Sequence, residues 1–197
     1  MVEKKRVAFL ASGGGSNLQA LLNAMREKDF PALPVLLVSN KKEAFALERG
    51  RNAGLRCEFV DPKLYPSRED YDAQVLALLR DCRIDLVCLA GYMRILSPLL
   101  VRAYAGRILN IHPALLPKFG GEGMFGHHVH QAVLDAKETE SGASVHFVDE
   151  GVDSGVVVAQ ARVPVLKGDS VETLAKRVLE AEHLLYPQAL RKVCEAV

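Results

Sequence analysis

The sequence predicts a single-domain α/β fold, a mostly parallel twisted sheet flanked by helices. Two observations carry this. Short apolar runs are continuous rather than alternating, as in strands covered on both faces. They also alternate with stretches of helical periodicity, the pattern of successive βαβ crossovers. A third observation marks off the second half, where two apolar runs flank a short acidic connector and predict a hairpin-like excursion.

Val7–Ala11 reads as the first buried strand, followed by a Gly-rich turn. Leu18, Leu21, Leu22 and Met25 recur at helical spacing. Leu33–Val38 is a second strand, residues 43–53 a helix stopped by Gly54, and Arg56–Val60 a short third strand. Tyr71, Val75, Leu78, Leu79 and Cys82 mark one face of a helix over residues 68–82. Leu86–Ala90 and Arg107–Ile111 are further strands, and Ala143–Val148 and Val156–Val163 flank the connector Asp149–Gly155. Asp169 with Glu172 suggests a capping box for a last helix over residues 170–186, with Pro187 beginning or kinking a final turn. No repeat or linker interrupts the pattern, so residues 1–197 form one domain, with ligands expected at the carboxyl ends of the strands.

Composition narrows the function. A chain of 197 residues, 49% hydrophobic, buries a sizeable core without disulfides. The net charge of +1 gives no electrostatic case for nucleic acid or membrane partners. Cys57, Cys82, Cys88 and Cys194 include no Cys-x-x-Cys pair and read as reduced thiols of a cytoplasmic protein. No run approaches the roughly 20 apolar residues of a membrane helix. Small-molecule substrates are therefore expected, and a homodimer is compatible with the chain.

Two segments carry candidate chemistry. Ser12-Gly13-Gly14-Gly15-Ser16-Asn17 follows the first strand and opens a helix, where glycines and free N–H groups suit an anion. Leu18 stands where a dinucleotide motif needs its third glycine, and no Gly-Lys-Ser/Thr is present, so NAD and ATP are disfavoured. The alternative is a tight turn with an ordinary Ser/Asn cap. In Asn110-Ile111-His112-Pro113, residues two apart share a strand face, which pairs an amide donor with a titratable imidazole at the sheet's carboxyl edge. Asp153 in the acidic connector is a third candidate. Beside His112 its charge would raise the imidazole above a free histidine, although sequence alone does not bring residues 112 and 153 together.

Asn110-Ile111-His112-Pro113 with Leu115-Leu116-Pro117, Ser144-Val145-His146-Phe147-Val148 and Val152-Asp153 resembles the folate-dependent formyltransferases. The stretches Ser12–Ala20, Ala90–Ser97, Gly168-Asp169 and Glu182-His183 resemble the members acting on glycinamide ribonucleotide, and the likeness runs from about Val7 to Pro187. The resemblance implies a Rossmann-like formyltransferase fold. It also implies formyl transfer from 10-formyltetrahydrofolate, as co-substrate and without a metal, to the primary amine of glycinamide ribonucleotide in purine biosynthesis.

By that resemblance Asn110, His112 and Asp153 form the catalytic trio. Gly15, Ser16 and Asn17 hold the substrate phosphate, and Glu182 lies near the glycinamide end. Met93, Arg94, Ile95 and Leu96 wall the folate pocket, and Arg68 lies near the folate's glutamate tail. Residues up to about 110 then bind the phosphate, and those from about 111 complete the catalytic and folate site.

Gly120–His130 is longer than the corresponding family loop. His127, His128 and His130 suggest a metal, but no acidic or Cys partner completes a set at typical spacing. The segment reads instead as a Gly-flexible lid, with His130 the closest match to the family's loop.

Overall fold

The computed structural model describes residues 4–196, so residues 1–3 and 197 of the expected domain lie outside it. Along the chain run β1 (Lys5–Ala11), α1 (Ser16–Ala24), β2 (Ala32–Ser39), α2 (Phe45–Asn52), β3 (Arg56–Phe59), α3 (Arg68–Asp81) and β4 (Leu86–Leu89). There follow α4 (Pro98–Ala103), β5 (Ile108–His112), α5 (His127–Asp135), β6 (Glu140–Phe147), β7 (Val157–Pro164) and α6 (Val171–Ala196). One sheet takes the order β3-β2-β1-β4-β5-β6-β7. Pairing is parallel from β3 to β5 and antiparallel at β5–β6 and β6–β7. The predicted α/β class and the hairpin of the second half are both present.

Continuous hydrophobicity in β1 has a direct structural meaning. Val7, Phe9 and Ala11 join one core cluster with Leu18 and Leu21 of α1 and Leu185 of α6. Ala8 and Leu10 join a second cluster with Val75 and Leu79 of α3 and Leu100 of α4. Helices therefore cover both faces, and only a strand apolar at every position satisfies both. Strand order reverses between β1 and β4, which opens a crevice beyond their carboxyl ends. No described helix is long and apolar enough to cross a membrane.

Several expectations change. Burial on both faces fails at the sheet edges, where β3 and β7 are largely half-exposed or exposed, because each has a neighbour on one side only. The last capping box sits one residue later than Asp169 and Glu172. Ser170 Oγ accepts from Thr173 N–H at 3.3 Å, and Thr173 Oγ1 accepts from Ser170 N–H at 2.9 Å. Asp169 instead takes both guanidinium nitrogens of Arg177, at 2.7 and 2.9 Å. Pro187 does not begin a separate turn, since α6 runs through it to Ala196. Helix α4, which the apolar spacing did not signal, opens on Pro98 behind Ser97. His127 to His130 are not loop: they form the first turn of α5, so the flexible stretch ends at Gly126.

The turn after β1 depends on one glycine. Gly15 has φ +70°, and a Cβ there would lie 2.8 Å from the Ala46 Cβ of α2. A Cβ on Gly13 meets nothing within 4 Å. Gly15→Ala is therefore expected to cost about 1–3 kcal/mol in urea unfolding, from strain plus displacement of α2. Gly13→Ala is expected to stay within about 0.5 kcal/mol.

Candidate active site

The crevice holds a cavity of about 680 Å³. Its floor comes from β5, whose Asn110 and His112 both line it, as the two-residue period requires. Met93, Arg94, Ile95 and Leu96, between β4 and α4, form one wall. Met124 and Phe125 of the Gly-rich segment and Val152 of the connector face the same space. Asn17 and Glu182 close the end next to α1.

Topology, not sequence distance, unites the trio. β6 turns back against β5 and pairs His146 with Asn110, so the connector after β6 delivers Asp153 over the end of β5. Asp153 Oδ2 lies 3.3 Å from His112 Nδ1 and accepts from Gly121 N–H at 3.2 Å. Its Oδ1 lies 3.5 Å from both Asn110 Nδ2 and His146 Nε2. Asp153 itself adopts φ +54°, a left-handed conformation that Asp tolerates better than most residues. A Cβ at position 120 would lie 2.5 Å from Leu116 Cδ2 and 3.2 Å from Asp153 Cβ, so glycine there admits the loop against the carboxylate.

Electrostatics corrects one expectation. His112 is only 3% exposed, and that burial lowers its pKa below the ordinary 6.5. The Asp153 charge and the Phe119 carbonyl push upward without overcoming it, and His146 pushes down. Its pKa is therefore not raised above that of a free histidine, despite the neighbouring carboxylate. Asp153 goes the other way. Burial pushes it up, but His146, the charge of His112 and the Gly121 N–H more than offset this, leaving it below the ordinary carboxylate value. His112 Nε2 donates to Phe119 O at 2.7 Å, and Nδ1 faces Asp153.

The other candidates divide. Asn17 Nδ2 donates to Glu182 Oε2 at 2.7 Å, which turns this side chain into the cavity. The N–H groups of Ser16, Asn17 and Leu18 precede the first helical bond, Gln19 N–H to Gly15 O, and remain at the α1 terminus. Gly15 and Ser16 lie outside the cavity lining. Burial pushes the Glu182 carboxyl up, and the Asn17 amide only partly offsets this. Arg94 lies over the Tyr71 ring, 4.4 Å from its centroid. Arg68 is exposed at the start of α3, 3.8 Å from Glu69, and does not line the cavity.

Reading by residue missed His146, which lies in an apolar strand and becomes a site residue only through its register with Asn110. It also missed the Phe119 carbonyl, because backbone groups leave no trace in a sequence. His130, taken for part of a lid, is 5% exposed and sits in the first turn of α5. Among the described residues, no group of three or more His, Cys, Asp or Glu is arranged to hold a metal ion.

Comparison with known proteins matches the formyl transferase family over residues 5–190. The chain is similar to phosphoribosylglycinamide formyltransferase of Escherichia coli (strain K12), 44% identical over 92% of this chain and 83% of that protein. It is also similar to the trifunctional purine biosynthetic protein adenosine-3 of Drosophila pseudoobscura pseudoobscura, 50% identical over 95% of this chain. It spans only 14% of that protein's length. Among solved structures it resembles glycinamide ribonucleotide transformylase 1 from Symbiobacterium toebii, at TM-score 0.93 and 43% identity over 98% of this chain and 89% of that one. It likewise resembles phosphoribosylglycinamide formyltransferase from Brucella melitensis, at TM-score 0.91 and 47% identity over 98% and 96% of the two chains.

The balance at His112 has a measurable consequence. Its titration, followed by NMR, is expected below the ordinary histidine value in the free protein. Asp153→Asn removes the charge that opposes burial, so the value is expected to fall further. An unchanged or higher value in Asp153→Asn would show that the carboxylate does not act on the ring.

Proposed function

Since the chain belongs to the formyl transferase family, whose pattern spans residues 5–190, we propose that it transfers a formyl group from 10-formyltetrahydrofolate to the primary amine of glycinamide ribonucleotide. One observation carries this reading. The cluster of Asn110, His112 and Asp153 lies in a single cavity between an apolar wall and a carboxylate, Glu182, held beside the anion-suited start of α1.

Each part has a chemical use. Met93, Ile95 and Leu96 offer a largely apolar surface to a flat heteroaromatic ring, and Arg94 is steadied by Tyr71. Formyl-folate supplies a carbonyl carbon already attached to a nitrogen leaving group. The N–H groups at the start of α1 suit a phosphate, and Glu182 accepts from an amine or amide at the other end of the same substrate. In this division the chain up to about residue 110 captures the phosphate, and the remainder completes the catalytic and folate site. Arg68, outside the cavity, is left for the distal, carboxylate-bearing part of the folate.

The amine nitrogen bonds to the formyl carbon, that carbon leaves the folate nitrogen, and one proton passes from the amine to the leaving nitrogen. Negative charge builds on the formyl oxygen, where the Asn110 amide donates. His112 takes up positive charge, which Asp153 then stabilises at Nδ1. Burial, which lowers the ring's pKa, favours its giving the proton up again to the leaving nitrogen.

Formyl transfer followed optically as the folate product forms tests the proposal. Asn110→Ala and His112→Ala are each expected to lower kcat by about 10²–10³ while the protein stays folded. Ser16→Ala with Asn17→Ala is expected to raise KM for the ribonucleotide far more than for the folate. Absence of transfer by the unaltered protein would overturn the assignment, and equal effects on both KM values would overturn the phosphate role.

A further inference from the structure

Ser12 is the first residue beyond β1 and is only 3% exposed. It does not line the cavity, yet three loops meet on it. Its N–H donates to Gly91 O at 3.0 Å. Its hydroxyl accepts from Met93 N–H at 2.8 Å and donates to Asn40 Oδ1, just after β2, at 2.6 Å. The next residues on one side are the glycines before α1, and on the other is the wall of residues 91–96. Resting on the functional reading above, we propose that Ser12 is a positioning residue whose hydroxyl couples the phosphate subsite to the folate subsite.

The wall lies between β4 and α4 and has no regular structure of its own. It is anchored on two sides. From α3, Tyr71 accepts from Tyr92 Oη at 3.0 Å, and Asp72 Oδ2 accepts from Ser97 N–H at 2.5 Å. On the side facing α1, the anchor is Ser12. Loss of a hydroxyl this deeply buried takes the acceptor from the Met93 N–H and the donor from the Asn40 carbonyl.

A ligand that orders the glycine turn therefore orders the Met93 backbone through one side chain, and the reverse follows by linkage. Asn40, half-buried, fixes the rotamer from a third strand end.

Titration calorimetry with glycinamide ribonucleotide and tetrahydrofolate, each alone and with the other saturating, reads this coupling. In the unaltered protein each ligand is expected to tighten the other by the same factor, about 5-fold or more. In Ser12→Ala that factor is expected to fall to near 1, with amide exchange at Met93 faster in the free protein. Asn40→Ala, at a more tolerant position, is expected to lower the factor as well, and it decides the matter if Ser12→Ala does not fold. A factor of 1 in the unaltered protein, or an undiminished factor in the variants, overturns the proposal. Formyl transfer that survives such a result leaves the function standing, whereas failure of the unaltered protein to bind either ligand overturns the functional reading itself.

Discussion

The carboxylate of Asp153 gathers groups from three separate stretches of chain: Asn110 and His112 on β5, His146 on β6, and the Gly121 N–H of the loop. None of these is held by its own strand alone. β5 fixes only that Asn110 and His112 share a face, and the β5–β6 register fixes only that His146 is opposite. Which way the imidazoles turn, and how close the loop comes, follow from where the charge sits. That position in turn needs a left-handed Asp and a glycine at 120 small enough to pack on its Cβ. The site is thus built around an anion, and the local backbone carries the strain of placing it.

Two opposing effects, burial and nearby charge, act on that anion and its partner, and they settle differently. For His112, desolvation outweighs the nearby charge, since the ring is covered and its single close anion lies at 3.3 Å, longer than the about 2.8 Å of a charge-assisted bond. For Asp153, several partners together outweigh desolvation. The result is a carboxyl held below its ordinary value beside an imidazole also held below its own.

Much of the sheet was legible because β4 and residues 7–11 of β1 are apolar at every position, and only burial between two helical layers accounts for that. The shared face of Asn110 and His112 was legible for an equally local reason, the period of a strand. Asp153 was legible as a candidate from its acidic connector, but its grouping with His112 came only from family likeness, since it lies 43 residues from Asn110 and meets it through the β5–β6 pairing. His146 and the Phe119 carbonyl were hidden because their roles come from register and from backbone. α5 was misread because its first turn, His127 to His130, follows a glycine with no side-chain cap, and its early histidines look like a polar loop. The misplaced capping box shows a narrower limit. Asp169 and Glu172 have the spacing, but Arg177 supplies Asp169 with a stronger partner than a helix N–H, which leaves Ser170 to cap.

The contact between His112 Nε2 and Phe119 O adds a constraint on how the site works. In the free protein that nitrogen is spent on a backbone carbonyl, and Nδ1 faces Asp153, so neither ring nitrogen is open to a substrate. Proton exchange with a bound amine through Nε2 therefore requires the Phe119 carbonyl to give way. Phe119 leads directly into Gly120, Gly121 and Gly123, and φ values of +100° at Gly121 and +81° at Gly123 make this a segment where glycine carries the conformation. The same segment places Met124 and Phe125 on the cavity and Gly121 N–H on Asp153. Movement that frees Nε2 thus also shifts the apolar cover and one donor to the carboxylate. Loss of that donor, like loss of the carbonyl, changes the charge balance at His112, so the loop sets both access to the base and its basicity.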